Sequence, residues 1–327
     1  MTDVAAAAGV SLKTVSRVVN AEPGVRPETA ARVREAIEAL GFRRDYVARA
    51  LRGGHRFRML GLVIEDVANP FYSAIARGVE EVTRERGQLL ITASSDEDPA
   101  RERELALLFC ERRVEGLLVV PAGDDHRYLQ PELAAGLHAV FIDRPPGNLE
   151  ADAILIDNVG GARAAAEHLL GRGHRRIGML GDDMAIFTAR ERWRGFCDAL
   201  AAAHHPIDDA LVRVGVHDST RAERVVDELL SLSDAPTALF AGNNRITIGV
   251  LRALAAHRAD VEVVGFDEFE LAGLLVRPPT TVSYDAAELG RQAAELLAAR
   301  LEGDTRPPQR VIVPTTLVVR DVEQAVA

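Results

Sequence analysis

The sequence has few cysteines and no long apolar run, and both shortages restrict the kind of protein it can encode. Its two cysteines, Cys110 and Cys197, cannot form a disulfide framework, so two reduced thiols in a cytoplasmic protein are expected. No apolar run approaches the roughly 18 residues of a membrane span. The N-terminus lacks the basic region and the long apolar region of a secretory signal. Neither a membrane protein nor a secreted protein is predicted.

The motifs of common nucleotide-binding enzymes are also missing. A dinucleotide-binding fold needs Gly-x-Gly-x-x-Gly after its first strand, but residues 65–70 read Glu-Asp-Val-Ala-Asn-Pro. Gly171 and Gly173 precede a strand, which is the wrong context, and no P-loop occurs. The nine histidines show no metal-ligand spacing, and no serine–histidine or cysteine–histidine set can be inferred. An enzyme is therefore not predicted, and no cofactor or metal is expected.

What the chain does have is a strongly uneven charge. It has 327 residues, 47% of them hydrophobic and 27% charged, which is typical of a globular protein. Residues 1–58 carry a net charge of +5, whereas residues 59–327 carry −15. A basic head on an acidic body indicates that the head meets a polyanion.

The spacing of apolar residues changes after residue 58. The head, residues 1–58, is typical of short helices, whereas the body, residues 59–327, alternates apolar runs of strand length with helical patterns. This alternation predicts parallel sheets, and the number of runs exceeds one ordinary sheet. The predicted fold is a small all-α helix-turn-helix domain followed by an α/β core of two doubly wound parallel-sheet lobes. The predicted strands are residues 60–64, 88–92, 116–120, 139–142, 153–156, 176–180, 211–214, 238–241, 261–266 and 311–318.

The head shows the helix-turn-helix pattern. Thr2 or Asp3 can cap a first helix that Gly9 ends, Ser11 can cap a second helix over 12–20, and a third follows over 27–40. Five small apolar residues are spaced to form one core: Val4, Ala8, Val10, Val15 and Val18. The second helix then presents Leu12, Lys13, Ser16 and Arg17, which suit base edges in a major groove. The alternative is a three-helix module that binds protein.

Polar side chains follow five strands of the body, where ligands bind in doubly wound folds. Carboxylates, amides and arginines can bind hydroxyl groups, and aromatic rings can cover C–H faces, so the set suits a polyhydroxylated ring. The alternative for each residue is a helix cap, which applies most to Asn69, Ser95 and Asn243. The five clusters are Glu65, Asp66 and 69–72; 94–96; Asp143 and Arg144; 243–245; and Asp267.

The head closely resembles that of the LacI/GalR family of bacterial transcriptional repressors, and the similarity extends over essentially the whole chain. It rests on Asp3-Val4-Ala5, on Ala8-Gly9-Val10-Ser11, on residues 14–20 (Thr-Val-Ser-Arg-Val-Val-Asn) and on residues 48–52 (Ala-Arg-Ala-Leu-Arg). The resemblance implies a hinge helix over 46–52 in the minor groove, with Leu51 as an apolar wedge; the alternative is that Leu51 packs on the body. The predicted DNA-binding residues are Leu12, Lys13, Thr14, Ser16, Arg17, Asn20, Arg49, Leu51 and Arg52.

The resemblance also implies a body similar to a periplasmic sugar-binding protein, with the effector between its lobes. Three residues depart from the family pattern: Arg44 replaces a proline before the hinge helix, Asn244 an aspartate and Tyr284 a glutamine. The last two leave the identity of the ligand open. With Ser95 added from the strand ends, the predicted effector site is Asn69, Phe71, Tyr72, Ser95, Asp143, Arg144, Arg192, Asn243 and Asp267.

Together these features predict a sequence-specific DNA-binding transcriptional regulator, a repressor, that binds a palindromic operator as a homodimer and responds to a sugar. The alternatives are a non-sugar effector such as a nucleoside or purine, or a ligand-binding module that has lost DNA binding. The module without DNA binding is an alternative because family members usually begin a few residues earlier, so the first helix is expected to be shortened.

The predicted domains are a helix-turn-helix domain over 1–42, a hinge over 43–58, and an effector-binding domain over 59–327. The two lobes of the effector-binding domain are predicted over 59–158 plus 286–310 and over 159–285 plus 311–327.

Overall fold

The computed structural model describes residues 1–19, 22–41 and 58–320. The chain divides into two compact units, Met1–Phe57 and Arg58–Ala327. Within the described ranges, no helix is both long enough and apolar enough to cross a bilayer.

The first unit contains three short helices around a small apolar core. They are α1 (Thr2–Ala8), α2 (Leu12–Val19) and α3 (Pro27–Ala39). All five predicted core residues pack together, with Val10 and Val18 half-buried at the edge. The predicted helix-turn-helix arrangement is therefore confirmed. The fully buried members of the core are Val4, Ala5, Ala8, Val15, Val33 and Ala36.

Two of the three predicted caps form. Gly9 ends α1 in the left-handed conformation (φ 62°), which glycine adopts without steric cost. The Oγ of Ser11 accepts a hydrogen bond from the N–H of Thr14 at 3.2 Å and so caps α2. The expected cap by Thr2 or Asp3 is wrong, because α1 already begins at Thr2 and the preceding residue, Met1, offers no capping side chain.

The second unit consists of two lobes, each built on a six-stranded sheet. The first sheet has the order β11-β5-β4-β3-β1-β2, and the second has the matching order β12-β10-β9-β8-β6-β7. Every pairing is parallel except that of β10 with β12. The strands are β1 (Met59–Ile64), β2 (Leu89–Ser94), β3 (Gly116–Val119), β4 (His138–Asp143), β5 (Asp152–Ile156), β6 (Ile177–Leu180), β7 (Val212–Arg213), β8 (Ala238–Ala241), β9 (Glu262–Phe266), β10 (Thr280–Ser283), β11 (Arg310–Val313) and β12 (Thr316–Val318).

Helices cover both faces of each sheet, as the alternation of strands and helices predicts. The first lobe holds α4 (Pro70–Glu85), α5 (Pro99–Glu111), α6 (Gln130–Ala134) and α11 (Ala286–Leu301), and the second holds α7 (Asn158–Gly171), α8 (Phe187–Ala202), α9 (Ser219–Leu230) and α10 (Asn244–His257). Short 3-10 turns lie at Arg127–Leu129, Asp209–Leu211 and Ala272–Leu274.

The chain crosses between the lobes three times, and the last crossing departs from expectation. The predicted single strand 311–318 is wrong, since it splits at Pro314 into β11 and β12, which lie in different sheets. Proline lacks the N–H that a continuous ladder needs. This crossing into the second lobe therefore comes a few residues later than the boundary after 310 that the sequence suggests. Strand β10 was not predicted, because its run of threonines lacks a clear apolar signal.

Close helix contacts hold each lobe together. In the first lobe α4 and α11 meet at Gly78 and Gly290. A Cβ on Gly78 would lie 1.9 Å from the carbonyl oxygen of Ala287, and one on Gly290 would lie 2.0 Å from that of Ile75. Only glycine allows backbones to approach this closely. The carboxyl ends of the strands in each sheet are left open for a site.

Candidate functional site

A small cavity lies between the two lobes, beyond the carboxyl ends of their strands. Its volume is about 50 Å³, and we call it the interlobe cleft. A site for a small molecule usually has roughly 300 Å³ or more, so the lobes are closed on each other here. Its lining is Glu65, Asn69, Phe71, Tyr72, Asp143, Arg144, Asp182, Ile186, Thr188, Ala189, Arg192, His217, Gly242, Asn243, Asn244, Arg245 and Asp267.

The structure brings eight of the nine predicted effector residues together in this cleft. The exception is Ser95, which is fully buried and whose hydroxyl donates to the carbonyl oxygen of Ile64 at 3.1 Å. Ser95 therefore ties the end of β2 to the end of β1 and does not line the cleft. Whether the other eight contact an effector stays a prediction.

Asn69 and Asn243 combine the two roles that the sequence left open. The side chain of Asn69 accepts from the N–H of Phe71 and caps α4, and that of Asn243 accepts from the N–H of Ile246 and caps α10. Both also line the cleft. A helix that begins at the carboxyl end of a strand places its N-terminus, and hence its cap, at the ligand-binding edge.

The first-lobe half of the cleft is built around Arg144. Its guanidinium group binds both carboxylate oxygens of Glu97 and donates to the carbonyl oxygen of Pro121 at 2.7 Å. Asp143, at the end of β4, has positive φ (69°) and is buried. Burial raises the pKa of its carboxyl to about 6, although Arg144 opposes the shift. Its Oδ1 atom has no hydrogen-bond partner among the described residues.

Glu65, which follows β1, completes this half. Its carboxylate accepts from the hydroxyl of Tyr72 at 2.6 Å. Burial raises the pKa of Glu65, and the neighbouring Glu97 adds to the shift. Burial likewise raises the pKa of Tyr72 well above its ordinary value, so its hydroxyl stays protonated and remains a donor.

The second-lobe half is built around Arg192 on α8. Its guanidinium donates to Oδ1 of Asn158 at 2.8 Å and to the carbonyl oxygen of Gly242 at 2.6 Å, and it lies 3.7 Å above the ring of Phe266. Asp267, just after β9, accepts from the hydroxyl of Tyr284 at 2.5 Å and lies 3.7 Å from Arg192. Arg192 and Asp267 therefore both have polar partners within the second lobe.

Polar contacts join the two halves across the cleft. In the two shortest, the amide of Asn244 donates to Oδ1 of Asn69 at 2.9 Å, and Arg245 forms an ion pair with Asp66. Asn244 stands where the family pattern has aspartate. An aspartate there could not donate to Asn69, so this departure supplies a direct bond between the lobes.

Some residues of the cleft were not in the predicted site. Glu65, Asn244 and Arg245 were recognised at strand ends but were not selected, because any of them could have been a loop residue. Asp182 was missed, although it follows β6 and the same strand-end rule identifies it. His217 was also missed, and its only sequence signal is a position shortly after the two-residue strand β7. Its Nδ1 pairs with the carboxylate of Asp182 at 2.5 Å.

A larger groove of about 620 Å³ lies elsewhere on the first lobe, along α4 and β2. It includes Val67, Arg77 and Leu89 but none of the predicted effector residues. The charged and aromatic side chains that converge on one point are in the interlobe cleft, so we place the candidate effector site there despite the smaller volume.

The candidate DNA surface is the outer face of α2. Leu12, Lys13 and Arg17 are exposed, and Thr14 and Ser16 are half-exposed, as expected of a helix that enters a groove. The half-exposed apolar side chain of Leu12 has no core to fill and is free to meet a thymine methyl group. The predicted DNA contacts Asn20, Arg49, Leu51 and Arg52 lie outside the described residues.

Comparisons with known proteins match both parts of the chain. Residues 1–45 match the model for bacterial regulatory proteins of the lacI family, and residues 166–321 match the periplasmic binding protein-like domain. The transcriptional regulator CelR of Thermobifida fusca is 33% identical over 97% of this chain and 96% of that protein.

Two solved structures are similar over nearly the full length of the chain. A CelR–cellobiose complex is 31% identical, covers 97% of this chain and 98% of that one, and has a TM-score of 0.73. The Lac repressor dimer bound to operator and the anti-inducer ONPF is 25% identical, covers 99% and 98% of the two chains, and has a TM-score of 0.82.

Proposed function

The chain belongs to the LacI family of bacterial regulatory proteins, and we propose that it is a sequence-specific DNA-binding repressor controlled by a small molecule held between its lobes. One observation carries the proposal. A helix-turn-helix with an exposed reading face and a polar cleft with eight of nine predicted ligand residues occur in one chain. The relatives are named as transcriptional regulators, which agrees with the absence of enzyme motifs from the sequence.

DNA recognition is assigned to α2 and the hinge. Lys13 and Arg17 can donate to guanine O6 and N7, and Leu12 can contact a thymine methyl group. Leu51, outside the described residues, is assigned the minor-groove wedge between Arg49 and Arg52, which would bind phosphates. Because a palindrome has two half-sites, the chain would act as a homodimer, as the Lac repressor in the operator complex is a dimer.

We assign a sugar as the effector class. Carboxylates and arginines at the centre of the cleft suit hydroxyl groups, while Phe71 and Tyr72 offer ring faces and edges. The CelR structure contains the disaccharide cellobiose in a related fold. A nucleoside or purine is the second candidate, since Tyr284 and Asn244 depart from the family pattern close to the cleft.

Control would come from the relative position of the lobes. The closed cleft is too small for a sugar ring, so the bonds from Asn244 to Asn69 and from Arg245 to Asp66 must rearrange when a ligand enters. The three chain crossings would carry this change towards the hinges. Coupling between effector and DNA binding is reciprocal and amounts to roughly 1–3 kcal/mol in such systems.

A gel-shift experiment with the full-length protein tests the DNA-binding half of the proposal. The probe is the DNA upstream of the protein's own gene, and random DNA of equal length is the control. We expect Arg17→Ala to weaken specific binding by about 1–3 kcal/mol, because it removes a base contact. Equal weakening on both DNAs would instead make Arg17 a phosphate contact. Failure of the unmodified protein to prefer its own upstream DNA would favour the ligand-binding module.

The effector half is tested with Asp267→Ala in the same assay, using a ligand first found by a thermal-shift screen of sugars and nucleosides. We expect this variant to bind the operator normally and to lose its response to the ligand, because Asp267 lies in the cleft and not in the head. An unchanged dose–response would remove Asp267 from the effector site.

A further inference from the structure

The interlobe cleft contains more carboxylates than its arginines can neutralise. Each arginine already has a carboxylate partner, and none is left to receive an anionic ligand. The shortest ion pairs of the three arginines are Arg144–Glu97, Arg245–Asp66 and Arg192–Asp267.

Three further carboxylates line the cleft: Glu65, Asp143 and Asp182. Glu65 lies 3.8 Å from Arg144 and 3.9 Å from Arg245, and Asp143 lies 3.6 Å from Arg144, so both share arginines that already have a nearer partner. Glu65 is held by the hydroxyl of Tyr72, which is a neutral donor. Asp182 forms an ion pair with His217, whose side chain is more than half exposed, and accepts from the side-chain amide of Asn243 at 3.3 Å. The Oδ1 atom of Asp143 has no hydrogen-bond partner among the described residues, although Asp143 is only 2% exposed.

These three carboxylates also repel one another. Burial raises the pKa of Asp143 to about 6 and raises the pKa of Glu65 and Asp182. The charge of Glu65 contributes to the upward shift of both Asp143 and Asp182, so it lies close enough to influence each of them. Negative charge in the cleft is therefore unfavourable, and a positive charge brought by a ligand would relieve it.

The neighbouring aromatic side chains favour a cation as well. Phe71 and Tyr72 both line the cleft and pack edge to face, with ring centroids 4.7 Å apart. Tyr284 packs against the other side of Phe71 at 6.0 Å. Aromatic rings attract cations and also cover the C–H faces of a sugar, so the same wall suits both parts of an aminated sugar.

We propose that the effector is an amino sugar, whose protonated amine lies against Glu65, Asp143 and Asp182 while its hydroxyl groups meet Arg144, Arg192 and Asn243. The inference rests on the proposed effector site and narrows its ligand class. A sugar phosphate or a nucleotide would bring negative charge to a cleft whose arginines are already paired. A neutral sugar could donate to Asp143 but would leave the excess charge of the cleft unbalanced.

The test compares matched ligands on the full-length protein at about pH 7. D-glucosamine is compared with D-glucose and N-acetyl-D-glucosamine, and D-galactosamine with D-galactose and its N-acetyl form. Within each set the ring is the same and only the group on C2 differs, and only the amine carries a positive charge. Calorimetric titration is expected to show at least one amine binding about tenfold or more tightly than its neutral partners, with a matching rise in melting temperature.

Two variants locate the amine. Glu65→Gln is expected to reduce affinity for the amine about tenfold more than it reduces affinity for the neutral sugar. Asp182→Asn provides the same readout should Glu65→Gln fail to fold. The matched control is Asp260→Asn, which removes an exposed carboxylate that pairs with Arg277 on the surface. The control should bind the amine as the unmodified protein does.

The outcomes separate this inference from the proposed function. The amino-sugar assignment is wrong if the neutral sugars bind as tightly as the amines or if no amine binds. The proposed function would still hold in that case if another ligand released the operator. If an amine binds preferentially but leaves operator affinity unchanged in the gel shift, the ligand assignment holds and the control of DNA binding fails.

Discussion

The two lobes have the same strand order but treat the same kind of residue differently. In each lobe an aspartate with positive φ, 69° for Asp143 and 73° for Asp267, stands where the equivalent strand ends. Asp267 receives a tyrosine hydroxyl and the N–H of Asn244 and lies near an arginine. Asp143 is adjacent to an arginine that binds Glu97, and one of its oxygens has no hydrogen-bond partner in the described part of the chain. Backbone topology places the carboxylate, whereas its neighbours decide its charge.

The arginines show the same contrast. Arg144 lies among Glu97, Glu65 and Asp143, so it neutralises a group of acids. Arg192 is held mainly by neutral acceptors and by the ring of Phe266. The first lobe thus concentrates negative charge around one cation, and the second lobe distributes its bonds among polar groups.

The largest expected effect tests this contrast directly. Arg144→Met should lower the free energy of unfolding by about 3–5 kcal/mol, because it leaves several buried or half-buried acids without their cation. Arg192→Met should cost less, about 1.5–3 kcal/mol, because most of its partners are neutral. Urea denaturation at neutral pH measures both. Equal losses would mean that the two halves do not differ electrostatically.

The bond between the lobes is tested next. Asn244→Ala should cost roughly 0.5–1.5 kcal/mol, since it removes one buried hydrogen bond to Asn69. Asn69→Ser keeps an oxygen that can cap α4 but is too short to reach Asn244. In a double-mutant cycle the two losses should not add, because both variants break the same bond. Additive losses would show that the two amides do not interact in solution.

The pH dependence of Asp143 comes third. Its pKa in the folded protein, about 6, lies above its ordinary value, so the folded state binds the proton more tightly than the unfolded state. Stability from this residue should therefore increase by about 1 kcal/mol as the pH falls from about 7 to 5. Comparison of unfolding curves for the unmodified protein and Asp143→Asn isolates this contribution, which the variant lacks. Asp267→Asn serves as the second-lobe control and should keep the increase in stability at low pH. If the stability of the two variants changes alike between about pH 7 and about pH 5, the two aspartates do not differ as proposed.

The smallest expected effect concerns Ser95. Ser95→Ala should change effector affinity by no more than about twofold, because the hydroxyl bonds to Ile64 and does not line the cleft. Titration of the variant with the same ligand measures this. A tenfold loss of effector affinity would show that Ser95 belongs to the effector site, on its first-lobe side.

The residues at the strand ends show how much of the site could be predicted from the sequence. Asn69, Asp143, Asn243 and Asp267 were recognised because they follow strong apolar runs, and parallel strands must bring such ends to one edge. Arg192 came only from the family resemblance, because it lies inside a helix. Asp182 and His217 were missed, because β6 and β7 are short and the local sequence does not show which loops face the other lobe.

By itself the sequence determined the class of fold, the helix-turn-helix head and eight of the residues that meet in the cleft. These depend on periodicity, caps and charge, which act between residues close together in the chain. Only the tertiary structure decided that residues 311–318 divide between two sheets, that Ser95 turns away, and that one oxygen of Asp143 lacks a partner. These depend on contacts between distant segments. Strand order and burial, which no local pattern records, decide which charges are compensated.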